Sequence, residues 1–152
     1  MEEKPAVSAD KERKMEIKQI CTAAFLLANG WKDWRRRQIS LPLTAAYALA
    51  GIVFSIAGHR EIQDFLIPAG TGMMFLAVGI LTGGALGMGD GWILLALAML
   101  LSTGEYLQML CLGMVLAAAW SGFLLFICKK SRKTEIPLVP FLFFGYLGGI
   151  LW

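Results

Sequence analysis

Residues 106–128 read YLQMLCLGMVLAAAWSGFLLFIC and contain no charged side chain. Residues 64–86, DFLIPAGTGMMFLAVGILTGGAL, carry one charge, at their first position. A helix adds 1.5 Å per residue, so about 20 mostly apolar residues are needed to cross a hydrocarbon layer of about 30 Å. Both stretches reach that length. Hydrocarbon offers no partner to an unpaired N–H or C=O, so a segment placed there must be a helix or part of a closed barrel. The two stretches therefore predict transmembrane helices.

Four more apolar segments lie around them, at about 17–32, 41–58, 91–104 and 137–152. The first, fourth and sixth are short for a span; they need flanking residues or are partly re-entrant. Pro42 and Pro137 stand where helices are expected to begin, a position that tolerates proline. The whole chain is 57% hydrophobic and 16% charged, with mean hydropathy +0.64. A soluble domain is roughly 45–50% apolar and about 25% charged. The expected fold is an all-α integral membrane protein, a bundle of about six transmembrane helices over residues 17–152. Residues 1–16 read as a polar, solvated tail of mixed charge. They lack the short basic region, apolar run and small-residue cleavage site of a signal peptide.

Basic residues set the orientation. Lys32, Arg35, Arg36 and Arg37 follow the first segment, and Lys129, Lys130, Arg132 and Lys133 follow the fifth. The short loops on the opposite side hold only Arg60. Lys and Arg in short loops stay in the cytoplasm. Loops one, three and five are therefore expected inside, with both termini outside.

Several function classes find no support. A net charge of +3 is too small to suggest nucleic acid. Cys21, Cys111, Cys128 and His59 are the complete set of Cys and His residues. They form no Cys-x-x-Cys unit and cannot supply about four ligands at zinc-site spacing. A disulfide framework is equally unsupported. No cofactor is expected.

Gly79, Gly83, Gly87 and Gly91 recur every four residues, which on one helix would make a smooth stripe for another helix to approach. Gly145 and Gly149 read as a similar packing pair. The four aspartates are Asp10, Asp33, Asp64 and Asp90. Asp10 in the tail and Asp64 at the start of a segment read as solvated charges. Asp33 and Asp90 both fall at the expected cytoplasmic end of a helix. A carboxylate near hydrocarbon costs up to about 3 kcal/mol on insertion scales and is a functional candidate by default. From the residues alone, Asp33 also fits a surface charge beside three arginines, and Asp90 a helix N-terminal acid favoured by the dipole.

Three strings add context. Asp33-Trp34-Arg35-Arg36-Arg37-Gln38-Ile39 resembles the Asp-x-Arg-x-Arg-x-Ile string of type IV prepilin peptidases. Gly83-Gly84-Ala85-Leu86-Gly87-Met88-Gly89-Asp90 resembles the family's Gly-x-Gly-Asp motif. Ile136-Pro137-Leu138-Val139-Pro140-Phe141-Leu142 resembles its last-helix segment. The strings occur in family order over roughly residues 20–145. The resemblance implies a membrane aspartic endopeptidase that removes the leader from pilin-like precursors. It also implies a multi-pass place in a bacterial plasma membrane, with the active site on the cytoplasmic side. On it, Asp33 and Asp90 are the catalytic acids and Gly87 and Gly89 the motif glycines. Arg35, Arg37, Pro137 and Pro140 are candidates for substrate contact or structure. The expected partners are a pilin-like precursor protein and membrane lipid. Larger members of the family carry a cytoplasmic insert with paired cysteines that accompanies N-methylation. This chain resembles the short, peptidase-only members that serve Flp or Tad-type pili, so no methyl transfer is expected.

The chain departs from the family in two places. Gly91-Trp92-Ile93 follows Asp90 where the family continues x-Lys-Leu, and Ile39-Ser40-Leu41 stands in place of Ile-Pro-Asn. Two rival readings remain: a non-catalytic membrane protein, such as a small transporter or pilus-assembly scaffold, and an inactive peptidase homologue.

Overall fold

The structure, a computed structural model, describes residues 4–36, 39–58, 61–83, 88–127 and 137–151. Six helices and no strand occur among them: α1 (Lys4–Arg36), α2 (Leu41–Ala57), α3 (Ile62–Leu81), α4 (Met88–Leu100), α5 (Thr103–Phe126) and α6 (Val139–Leu151). The all-helical expectation holds. Two helices, Ile62–Leu81 and Thr103–Phe126, are long and apolar enough to cross a membrane. Only 17% of each apolar window is buried, unlike the central helix of a soluble domain. The outer surface is correspondingly apolar, with Leu49, Val53, Leu66, Met73, Val115 and Phe126 exposed.

Helix ends follow local chemistry. Pro42 sits in the first turn of α2, as its spacing suggests. Pro137 does not begin α6; the helix starts at Val139, and Pro140 occupies its first turn. The glycine stripe is not one helical face either. α3 stops at Leu81, and Gly83 turns the chain with φ 64°, a conformation glycine adopts without a Cβ penalty. The Thr82 hydroxyl bonds back to the Val78 carbonyl at 2.7 Å, closing that end. Gly79 and Gly91 thus lie on different helices, and Gly87 lies outside the described residues. The fourth and fifth segments meet earlier than expected, at Ser102. There Ser102 and Glu105 form a capping box, with the Ser102 N–H and hydroxyl 2.9 and 2.8 Å from Glu105 Oε2. This places Glu105 inside α5 rather than between segments.

The polar stretch and the first apolar segment form one continuous helix of 33 residues, about 50 Å long. Its outer part is exposed, and Asp10 pairs with Lys14 at 2.8 Å. Its inner part buries Thr22, Phe25, Leu26, Asn29, Gly30 and Asp33, the three- and four-residue spacing of one helical face.

α4 is the central helix. Ile93, Leu94, Leu97 and Ala98 are fully enclosed between α2 and α3. α6 lies between α1 and α5. Small residues set these approaches. A Cβ on Gly91 would come within 2.8 Å of Leu76 Cα in α3, and one on Gly72 within 3.0 Å of the Leu95 amide nitrogen in α4. The buried residues of α3 are Pro68, Gly72 and Gly79, so it offers α4 mostly backbone. Between apolar helices such contact supplies dispersion attraction that bulkier side chains would prevent. Gly145 fits the same way against Met109 and Gly113 of α5, as its packing role predicts, while Gly149 makes only ordinary contact with Gln108.

Candidate active site

α1 carries a line of buried polar groups along one face. The Thr22 hydroxyl donates to the Lys18 carbonyl at 2.8 Å and is hydrogen-bonded to the Tyr47 hydroxyl at 2.7 Å. Tyr47 also stacks on Phe25, with ring centroids 4.0 Å apart. Asn29 is fully enclosed, and Asp33, one turn on, is 8% exposed. At the other end of the line, Lys18 meets Glu105 of α5. The spacing of these residues keeps them in register on one side of α1.

Asp90 lies in the first turn of α4, half-buried. Asp33 sits in the last turn of α1. Asp33 and Asp90 are 57 positions apart in the sequence, and the segments that carry them come together where Ile39 meets Gly89. α1 and α4 are not main packing partners along their lengths. Ile39, in the chain between α1 and α2, reaches over to α4 at the end of the bundle. Ile39 fills the space that a side chain on Gly89 would need; a Cβ there would overlap Ile39 Cδ1 and lie 2.8 Å from Cγ1. The first and second sequence motifs touch at this point.

The other expected site residues divide. Arg35 and Arg36 are exposed at the end of α1. Arg37 and Gly87 lie outside the described residues. Pro140 packs on α1, with its backbone 3.5 Å from where a Gly30 Cβ would be. That is a structural contact. Pro137 lies two residues ahead of α6. Trp92, where the family has lysine, is 49% exposed. Two residues on a helix are about 200° apart, so position 92 faces away from Asp90. The family's lysine is therefore missing from the side of α4 opposite the acid.

Asn29, one turn from Asp33, and the more distant Thr22, Tyr47 and Lys18–Glu105 contacts along the same face of α1 were not legible as partners. Thr22 and Asn29 did carry a signal, as polar residues seven apart in an apolar run. Among the described residues no group of three His, Cys, Asp or Glu side chains could hold a metal ion. A cavity of about 230 Å³ between α1 and α6 is lined by Leu27, Gly30, Trp31, Trp34 and Phe144 among others. Its lining presents no acid, base or nucleophile.

The segments carrying Asp33 and Asp90 thus meet through Ile39 and Gly89 at one end of the bundle. Residues 20–122, more than half of the chain, match the Type IV leader peptidase family. The chain belongs to that family, the prepilin peptidases, a family of membrane peptidases. No curated protein and no solved structure matches it significantly.

Proposed function

We propose that this protein is a membrane aspartic endopeptidase that cleaves the leader from a pilin-like precursor at the cytoplasmic face. The observation that carries the reading is that, in a chain of this family, Ile39 of the Asp33 motif packs on Gly89, the residue before Asp90. Two carboxyls at one site resist simultaneous ionisation, so one retains a proton. The ionised carboxylate takes a proton from water, and the resulting hydroxide attacks the scissile carbonyl. The protonated carboxyl donates its proton to the carbonyl oxygen. As the C–N bond breaks, the first carboxyl passes the proton it took from water to the leaving amine, and the second recovers a proton from the diol hydroxyl as the new carboxyl forms. The two acids titrate as a pair, and the roles belong to the pair.

The six helices lie in the membrane, with the Asp33 and Asp90 end inside. The apolar outer surface supports this. So do the basic residues Lys32, Arg35 and Arg36 at the Asp33 end of α1. α4 and α6, 13 residues each, reach about 20 Å, less than a full hydrocarbon thickness. The bilayer accommodates short helices by local thinning. That brings water and the aqueous part of a substrate close to the acids. The chain acts without methyl transfer.

The decisive experiment is co-expression with pilin-like precursors from the same genome, followed by mass analysis of their N-termini. Leader removal that depends on both Asp33 and Asp90 supports the reading. Uncleaved precursor in cells containing the folded protein refutes it.

A further inference from the structure

Asn29 is fully enclosed on α1, one turn before Asp33 and on the same face. Its Nδ2 donates to the Phe25 carbonyl at 3.2 Å within the helix. Its Oδ1 accepts the backbone N–H of Ser40 at 3.3 Å. Ser40 is the N-cap residue of α2, and its carbonyl accepts the Thr44 amide at 2.9 Å. The Ser40 hydroxyl also accepts Lys32 Nζ at 3.0 Å. Two α1 side chains that flank Asp33 by one and four residues therefore hold the point where α2 begins.

Ile39 precedes Ser40 and is held with it. Its side chain rests where Gly89 has no Cβ. Gly89 is bonded to Asp90. A mechanical line thus runs from Asn29 through Ser40 and Ile39 to Gly89 and Asp90, while α1 itself carries Asp33. Because α1 and α4 share little packing along their lengths, this line is a connection between the two acid-bearing segments among the described residues at the site end.

We infer that Asn29 and Ile39 are positioning residues for the acid pair. Asn29 fixes the α1–α2 turn, and Ile39, seated on Gly89, sets where Asp90 stands relative to Asp33. The inference rests on the proposed aspartic chemistry. Misplacement of reacting groups by about 1 Å can cost on the order of a hundredfold in rate. Neither residue need touch substrate, so their loss should lower kcat and leave KM in place.

The test uses the purified full chain in detergent and a pilin-like precursor as substrate. Gly89→Ala forces Ile39 off its seat and is expected to reduce kcat at least tenfold, with KM within twofold. Adding Ile39→Ala empties the space and is expected to restore kcat several-fold, although it is a second substitution. Ile39→Val, which removes only Cδ1, and Asn29→Ala should each lower kcat several-fold with KM unchanged. They keep the idea testable if Gly89→Ala does not fold. A double variant as slow as Gly89→Ala, or mild variants with unchanged kcat, would overturn the positioning role. Asp90→Asn is assayed alongside. Its inactivity, combined with a failed rescue, removes the positioning role alone. Its retention of cleavage removes the aspartic reading and the positioning role together.

Discussion

Lys18 Nζ lies 2.6 Å from Glu105 Oε2, joining α1 to α5 across 87 positions of sequence. The pair stands 15 residues before Asp33 on α1, roughly 22 Å along the helix. α1 is therefore pinned at one end of the bundle by an ion pair and at the other by the Asn29 bond to Ser40.

Glu105 has two duties, since the same oxygen also caps α5 through Ser102. Loss of a cap costs about 0.5–2 kcal/mol. Removing one partner of a partly buried pair further leaves the other charge uncompensated. Glu105→Ala should therefore lower the thermal midpoint in detergent more than Lys18→Met, which spares the cap. The double variant should fall short of the sum of the two singles. Equal, additive losses would mean that the two side chains do not interact.

The acid pair makes the strongest demand on activity. Asp33→Asn and Asp90→Asn should each reduce cleavage by at least about a thousandfold, with the double variant scarcely worse, because groups that act as a unit are not additive. An amide keeps nearly the carboxyl's shape, so expression and thermal midpoint should persist. Asp10→Asn is the cleanest control, since Asp10 pairs with Lys14 on an exposed surface. Asp64→Asn, in the first turn of α3, should also cleave normally. Asp90→Glu should be badly impaired, because one methylene moves the carboxyl away from its partner. Near-normal cleavage by Asp33→Asn alone would break the dyad and return Asp33 to a topology charge beside arginines.

Much of this arrangement was legible in one dimension, for physical reasons. Long apolar runs permit only helices, so six elements could be counted from composition alone. The two acids stood out because charges are costly next to apolar segments. Other features were written locally and read differently. Ser102 and Glu105 have capping-box spacing, yet the charge of Glu105 looked like an interruption between spans. Four evenly spaced glycines suggested one helical face, but Gly83 at positive φ ends α3. Lys18 stood at the start of the first apolar segment with no sign of its partner, which is 87 positions away. The seat of Ile39 on Gly89 depends on how α2 and α4 are placed, and no spacing rule encodes it.

Membrane orientation can be tested by labelling, and the structure selects the sites. Ser40 is half-buried and held by Asn29 and Lys32, so low reactivity there would be ambiguous. Arg36, at the end of α1, and Gln63, in the first turn of α3, are both exposed. In a cysteine-free background, Arg36→Cys should resist an impermeant thiol reagent in intact cells and react after lysis. Gln63→Cys should react in both. Labelling of position 36 from outside would place the acids on the wrong face for a cytoplasmic leader.

Close helix approach gives a final prediction, remote from the acids. A Cβ on Gly145 of α6 would sit 2.6 Å from the Met109 carbonyl oxygen and 2.7 Å from the Gly113 amide nitrogen of α5. Both are backbone atoms, so no rotamer change relieves the overlap and the helices must part. Overpacking of this kind costs typically about 1–3 kcal/mol. Gly122, on the same α5, has nothing within 4 Å of its added Cβ. Alanine there should be neutral or stabilise by up to about 1 kcal/mol through helix propensity. Gly145→Ala should thus lower the thermal midpoint in detergent by several degrees, while Gly122→Ala holds or raises it. Gly145→Ala should also spare the KM of the surviving folded protein, because α5 and α6 meet there away from Asp33 and Asp90. Equal midpoints for the two variants would show that α5 and α6 stand further apart than the contact at Gly145 requires.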